Sequence, residues 1–354
     1  MSNPIPTYWD YLQLLPLLNL QSGLETDDSR LSEDELHFIV VHQVFELWLK
    51  LVLRELRMAR DQMAAEWVPE KHLPNVVRHL RRVNEIIKLS VSSFAVLETL
   101  TPQDFLAFRA KLGQSSGFQS FQMRELELVL GLEPTERQQQ QQVDPIPELE
   151  QLAQATPEGK AVAEAIMRAR SEPSLRSALL GWLFRTPIQG SMPNAQTDQQ
   201  TVVSFLEEYR SCLAQYDAQL LNELDRFVPR AEGDDNESYR RLRARAALLF
   251  IESYRDLPLL SWPYLLLETV VELEELLVLW RMRHVRMVER MIGRRSGTGG
   301  SPGVAYLERT TQYRIFHEFW TVRTLLLPRD RVPPLRERRY YELMEDVFRE
   351  RARE

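Results

Sequence analysis

The chain has 354 residues, 44% of them hydrophobic and 27% charged, with 44 basic against 51 acidic side chains and one cysteine. A net charge of −7 argues against broad nucleic-acid binding, which needs a basic surface. Cys212 has no intrachain partner, so a disulfide framework is excluded and a reducing cytoplasm is expected.

The N-terminal MSNPIPTYWDYLQ lacks the basic and then apolar layout of a secretory signal. Glu, Arg or Pro interrupts the apolar stretches, so no membrane span is expected and a soluble protein is. Glycine is scarce, and many prolines fall between long periodic segments, a pattern of helices joined by proline-marked loops. The first long helix is predicted over 33–64, where Leu36, Ile39, Val40, Phe45, Trp48, Val52 and Leu56 recur mostly three or four apart. A second follows over 74–100, with Pro74 in its first turn. Thr101 and Pro102 read as N-cap and first helical residue of a third. Helix continues over 118–131.

Residues 133–160 change character. A run of glutamines, Gln138 to Gln142, leads into VDPIPELEQLAQATPEG, read as a loop or poorly ordered excursion and not a domain boundary. Helical periodicity returns over 160–227, broken at TPIQGSMPN, and again over 237–293, broken at DLPLLSWP. The second half of that stretch carries an apolar stripe through Leu273, Leu277, Trp280, His284, Met287 and Met291. RRSGTGGSPG follows, then helix over 304–326 and 336–352. No strand pairing or βαβ alternation is evident, so the expected fold is all-α, one helical-bundle domain.

Six histidines are present, but no HExxH, CxxC or GKS/T motif, so zinc-hydrolase and P-loop readings lack support. His284 stands out on the apolar stripe. It reads either as a core histidine satisfied by neighbours or as a single imidazole ligand in a helical bundle. A lone ligand suits haem better than zinc, because the porphyrin supplies four nitrogens itself. Phe38, His42 and Glu46 are each one turn apart and share a face, which is an amphipathic boundary or a pocket wall. Phe105 and Arg109 are one turn apart, an arrangement that serves a surface salt bridge or a carboxylate site. The GTGG stretch is either a helix stop or a lid whose amides and Thr298 hydroxyl hold an anion.

Together these elements resemble one family. TYWDYLQLLPLLNLQ, DELHFIVVHQVFELWLKLVLRELR, FAVLETLTPQDFLAFRAKLGQSSGFQSFQMRELE and LWRMRHVRMVERMIGRRSGTGGSPGVAYLERT are similar to blocks of the tryptophan 2,3-dioxygenases, in the same order, from about Tyr8 to Thr310. Coverage is weakest over about 133–235, which reads as a divergent or inserted segment carrying only WLFRTP as a family-like patch.

The resemblance implies haem b with His284 as the proximal iron ligand. It implies His42 as the distal histidine that orients the indole N–H, with Phe38 over the substrate ring. Arg109 matches the carboxylate-binding arginine, Phe105 the residue a turn before it, and Thr298 the threonine that contacts the amino-acid end. Tyr8 and Tyr11 match tyrosines of an N-terminal arm, about residues 1–30, that reaches a neighbouring subunit, as in a homotetramer. The implied reaction is oxidative opening of the indole ring of L-tryptophan by O₂ to N-formyl-L-kynurenine. Some positions depart from the family pattern: His37 stands where leucine is usual, the N-terminal block reads Gln13-Leu14-Leu15, and Pro302 stiffens the GTGG loop. These changes sit near pocket or lid. They leave open a haem-dependent monooxygenase or dioxygenase paralogue acting on another aromatic, and a non-catalytic haem sensor. His72, His79 and His317, like His37, are expected in surface or core roles.

Overall fold

The computed structural model describes residues 5–25, 27–113, 115–135, 145–154, 159–229, 236–298 and 303–342. A capping box between Thr7 and Asp10 starts α1 (Tyr8–Leu12), and α2 (Leu14–Leu17) follows through a left-handed Gln13. Ser32 accepts from the Glu35 amide and starts α3 (Glu33–Ala64), whose first turn carries three carboxylates that suit the positive end of the helix dipole. Next come α4 (Leu73–Leu97), with Pro74 in its first turn, and α5 (Pro102–Arg109), capped by Thr101 as expected. Ser120 caps α6 (Phe121–Leu130), which stops at left-handed Gly131. The remaining helices are α7 (Ile146–Gln154), α8 (Gly159–Ser171), α9 (Leu175–Arg185), α10 (Asp198–Asp217), α11 (Leu221–Phe227), α12 (Asn236–Ser253), α13 (Ser261–Ile292), α14 (Val304–Thr310), α15 (His317–Thr324) and α16 (Arg338–Tyr341). Among the described residues no strand forms; Ile188 and Ser191 make an isolated bridge.

The fold is all-α, and its centre is α4 packed between α3 and α13. Val52, Leu56, Val76, Leu80, Val83, Leu266 and Val270 are fully buried there. Helix α9 lies against both α3 and α12, and α6 against α3. The 133–235 stretch is not peripheral throughout: Trp182, Phe205, Tyr209 and Phe227 belong to the main core. Only Ile146, Leu149 and Ile166 form a small cluster of their own.

Three expectations need correction. Residues 133–160 are not all loop, because α7 and the start of α8 lie within them. Ile146, Leu149 and Ala153 give α7 one buried face, a period too short to stand out between Pro145 and the glutamine run. The glutamine run itself lies outside the described residues. The 304–326 helix is two short ones, because the buried Glu274 carboxylate accepts the amides of Ile315 and Phe316 and the Trp320 indole N–H, holding the chain in a turn. Of 336–352, helix is described over Arg338–Tyr341, and 343–354 lie outside the described residues. Lastly, α3 contains an 18-residue stretch of mean hydropathy 1.5, long and apolar enough by composition to cross a membrane. That apolarity has a local use: Phe38, Phe45 and Leu49 wall a cavity, and Val52 and Leu56 enter the core.

The TPIQGSMPN break is organised by a buried ion pair. Arg243, with no exposed surface, donates through Nε to Asp198 at 2.8 Å and through its other nitrogens to the carbonyls of Phe184, Thr186 and Ser191. Tyr239 and Ser191 also donate to Asp198, and this network holds its carboxyl below the usual range despite burial. Arg243→Met strands a buried carboxylate and three carbonyls, so urea unfolding is expected to show a loss of about 3–5 kcal/mol. An unchanged midpoint would mean that packing alone holds the break.

Candidate functional site

Helices α3, α4, α5, α6, α13 and α14 enclose a cavity of about 510 Å³, within the range of small-molecule sites. Its depth is set by α13. The stripe predicted from sequence turns Trp280, His284, Met287 and Met291 into the cavity. Protein surrounds His284, yet its ring keeps accessible surface because that surface faces the void. Phe94 stacks on it at 5.8 Å between centroids, and Trp280 lies at 5.1 Å. Among the described residues it makes no hydrogen bond. Burial pushes its pKa down to about 4, with smaller contributions from His42 and Arg124, so its lone pair is free at neutral pH.

Helix α3 supplies the other imidazole. His42 Nδ1–H donates to the Phe38 carbonyl one turn back, at 2.7 Å. A carbonyl only accepts, so in the neutral ring Nε2 is the acceptor. Burial lowers the His42 pKa and so favours the neutral ring, and the Phe38 hydrogen bond and Glu46 partly oppose it. The Phe38 ring sits 3.9 Å from His42 and packs with Phe105 and Phe108 of α5 at 5.7 and 5.6 Å. The boundary face read from sequence is therefore a pocket wall.

Arg109 and Thr298, distant in sequence, meet at the mouth. The Arg109 guanidinium donates to the Ser296 carbonyl at 2.5 Å, and the Thr298 hydroxyl donates to the Ser115 carbonyl. These two bonds pin 296–298 onto the end of α5 and the loop that follows it. Residues 299–302, including Pro302, lie outside the described residues. The SGFQSFQ block is ordered by Glu46, whose carboxylate accepts from Ser120 at 2.8 Å and Gln122 at 2.7 Å.

Sequence reading missed a charged corner. Arg124 and Arg281 line the cavity and share Glu127, at 2.9 and 3.7 Å. Arg281 also lies over the Tyr313 ring, 4.9 Å from its centroid. The buried Nε of Arg124 has no hydrogen-bond partner among the described residues. The available signal was spacing, and only for Arg281, which falls three residues before His284 on the apolar stripe; nothing in the sequence pattern marked Arg124.

Other residues named from sequence lie elsewhere. Tyr8 and Tyr11 are 71% and 78% exposed on α1 and do not line the cavity. His79 is buried against Glu55, with 2.5 Å between Nδ1 and the carboxylate, and His72 is exposed. His37 and His317 are half-buried, and Nε2 of His37 is enclosed with no hydrogen-bond partner among the described residues. Cys212 is half-buried and free. Among the described residues no cluster of three His, Cys, Asp or Glu could chelate a metal.

These features define an all-α protein with a deep aromatic cavity, one uncommitted imidazole at its base, a second neutral imidazole near it, and cationic groups at the mouth and in a corner. The family model of tryptophan 2,3-dioxygenase matches residues 2–326. Tryptophan 2,3-dioxygenase 2 of Ralstonia nicotianae is 41% identical over 97% of this chain and 99% of its own length. Tryptophan 2,3-dioxygenase of Sorangium cellulosum is 41% identical over 93% of this chain and 85% of its own. A tryptophan 2,3-dioxygenase-like protein of Xanthomonas campestris is 43% identical, covering 70% of this chain and all of its own length. The chain belongs to the tryptophan 2,3-dioxygenase family.

The lowered pKa of His284 has a measurable consequence in the haem-free protein. Between about pH 4 and the ordinary 6.5, the unfolded chain holds a proton on this residue that the native chain does not. Stability therefore falls as pH falls through that window. His284→Gln is expected to flatten this part of a pH series of urea midpoints; a slope unchanged by the substitution contradicts the neutral, buried imidazole.

Proposed function

We propose that this chain is a haem-dependent dioxygenase that opens the indole ring of L-tryptophan with O₂ to N-formyl-L-kynurenine. The observation that carries the reading is the neutral, hydrogen-bond-free imidazole of His284 at the base of an aromatic cavity. With no chelating cluster among the described residues, a single histidine calls for a metal that brings its own equatorial ligands. The corner fits such a group too: two guanidiniums share one carboxylate, and the orphaned Arg124 Nε suits a porphyrin carboxylate.

His284 would hold the haem iron, and Arg124 and Arg281 its acidic edge. The haem, when bound, supplies the iron at which O₂ is activated for insertion across the indole C2–C3 bond. The protein's own work is orientation. Nε2 of His42 accepts the indole N–H, because its Nδ1 proton is already committed to Phe38. Phe38 and Phe105 pack the ring and exclude water. The substrate carboxylate takes over the Arg109 donor now given to Ser296, and Thr298 exchanges the Ser115 carbonyl for the amino-acid end. The enzyme works in the cytoplasm as a homotetramer, and Tyr8 and Tyr11 reach a neighbouring subunit. The exposure of Tyr8, Trp9 and Tyr11 on α1 supports that role.

The test is to supply the ferrous protein with L-tryptophan and ¹⁸O₂ and weigh the product. Incorporation of both oxygen atoms is expected; one atom indicates a monooxygenase, and no product a sensor. His284→Ala should abolish the Soret band after haem supplementation. Arg109→Ala removes a charge-assisted contact and should raise KM for L-tryptophan roughly 10- to 100-fold. An unaltered KM refutes the clamp.

A further inference from the structure

A second, smaller cavity of about 20 Å³ lies between α3, α4, α6 and α13. It exceeds the ~10–15 Å³ that one water-sized guest needs. Its wall is mainly apolar, with Trp48, Val52, Ile87, Leu126, Leu130 and Leu277 among its lining. It shares Phe45, Leu49, Met123, Trp280, Glu127 and Arg281 with the main cavity, whereas Arg109, Ser115 and Thr298 at the mouth do not touch it. The two voids therefore adjoin through side chains, away from the amino-acid clamp.

The wall chemistry selects the guest. An ordered water needs two to four polar partners, and a void walled by hydrocarbon stays dry and takes apolar guests. Three polar side chains reach this void, and each has a partner elsewhere. The Ser90 hydroxyl donates to the Ile86 carbonyl at 2.9 Å, Glu127 accepts from Arg124, and Arg281 is held by Glu127 and the Tyr313 ring.

We propose that this void is a holding site for a diatomic apolar gas, O₂ in the working enzyme, which passes into the main cavity between Phe45, Met123 and Trp280. The role assigned to O₂ rests on the dioxygenase reading. Once an amino acid fills the mouth under Arg109 and Thr298, a small uncharged molecule needs another place from which to arrive. Met123 is unbranched and yields readily, which suits a gate.

Xenon, an apolar probe of similar reach, tests the site without turnover. Crystals of the full chain under xenon pressure should show an atom between Val52, Ile87 and Leu277. Val52→Leu, which fills the void, should remove it, and Val52→Ala, which enlarges it, should raise its occupancy. In haem-loaded, tryptophan-saturated protein, Val52→Leu should slow O₂ association severalfold and Val52→Ala should not, with KM for tryptophan unchanged in both. An ordered water in the void, no xenon there, or O₂ association indifferent to both substitutions overturns the proposal. If xenon occupancy follows the Val52 series while no indole is opened, the gas site stands and the dioxygenase reading fails.

Discussion

The structure depends on keeping a basic group uncharged where burial makes charge expensive. His284 has to sit deep enough to lose its proton affinity and still keep a nitrogen uncommitted, and those demands conflict in an ordinary core. A buried imidazole normally ends with both nitrogens hydrogen-bonded. Here the conflict is resolved by facing the ring into a void and flanking it with Phe94 and Trp280, which offer faces and no acceptors. The long helices serve that end: α4, packed between α3 and α13, fixes Phe94 beside a ring carried by another helix.

The two imidazoles reach neutrality differently. His284 has burial and no hydrogen bond. His42 has burial opposed by a backbone acceptor and by Glu46, and its Phe38 hydrogen bond fixes which nitrogen keeps the lone pair. Glu46 acts on His42 through charge, while Ser120 and Gln122 donate to its two oxygens. The same carboxylate orders the loop whose Ser115 carbonyl receives Thr298, so α3 influences both the imidazole and the mouth.

The helices were legible where apolar spacing ran for many turns: 33–64 coincides with α3, and the stripe through His284 lines the cavity. The cap at Thr101 was legible because capping chemistry is local. What stayed hidden depended on partners remote in sequence. The turn that splits 304–326 is held by Glu274, some forty residues earlier, and the break after α9 by Arg243, beyond α10 and α11. Helix α7 was lost because two turns of amphipathic pattern beside a glutamine run carry little signal. At the site, His42, Arg109 and Thr298 drew notice through their motifs. Arg124 and Arg281 did not, since a charged residue on a helix is ordinarily read as solvated, and only the cavity shows that these two are not.

That corner also changes what the net charge means. A chain carrying −7 meets anions poorly at long range, and the outer surface offers little steering toward an acidic ligand. Recognition of negative charge is instead moved inside, where Arg124 and Arg281 together face one carboxylate and the low dielectric strengthens each contact. Burial depresses the Arg281 pKa and Glu127 opposes that shift, so the carboxylate already present balances part of the positive charge. Two guanidiniums on one carboxylate thus leave a net positive corner inside an acidic chain, where a surface charge count would not reveal it.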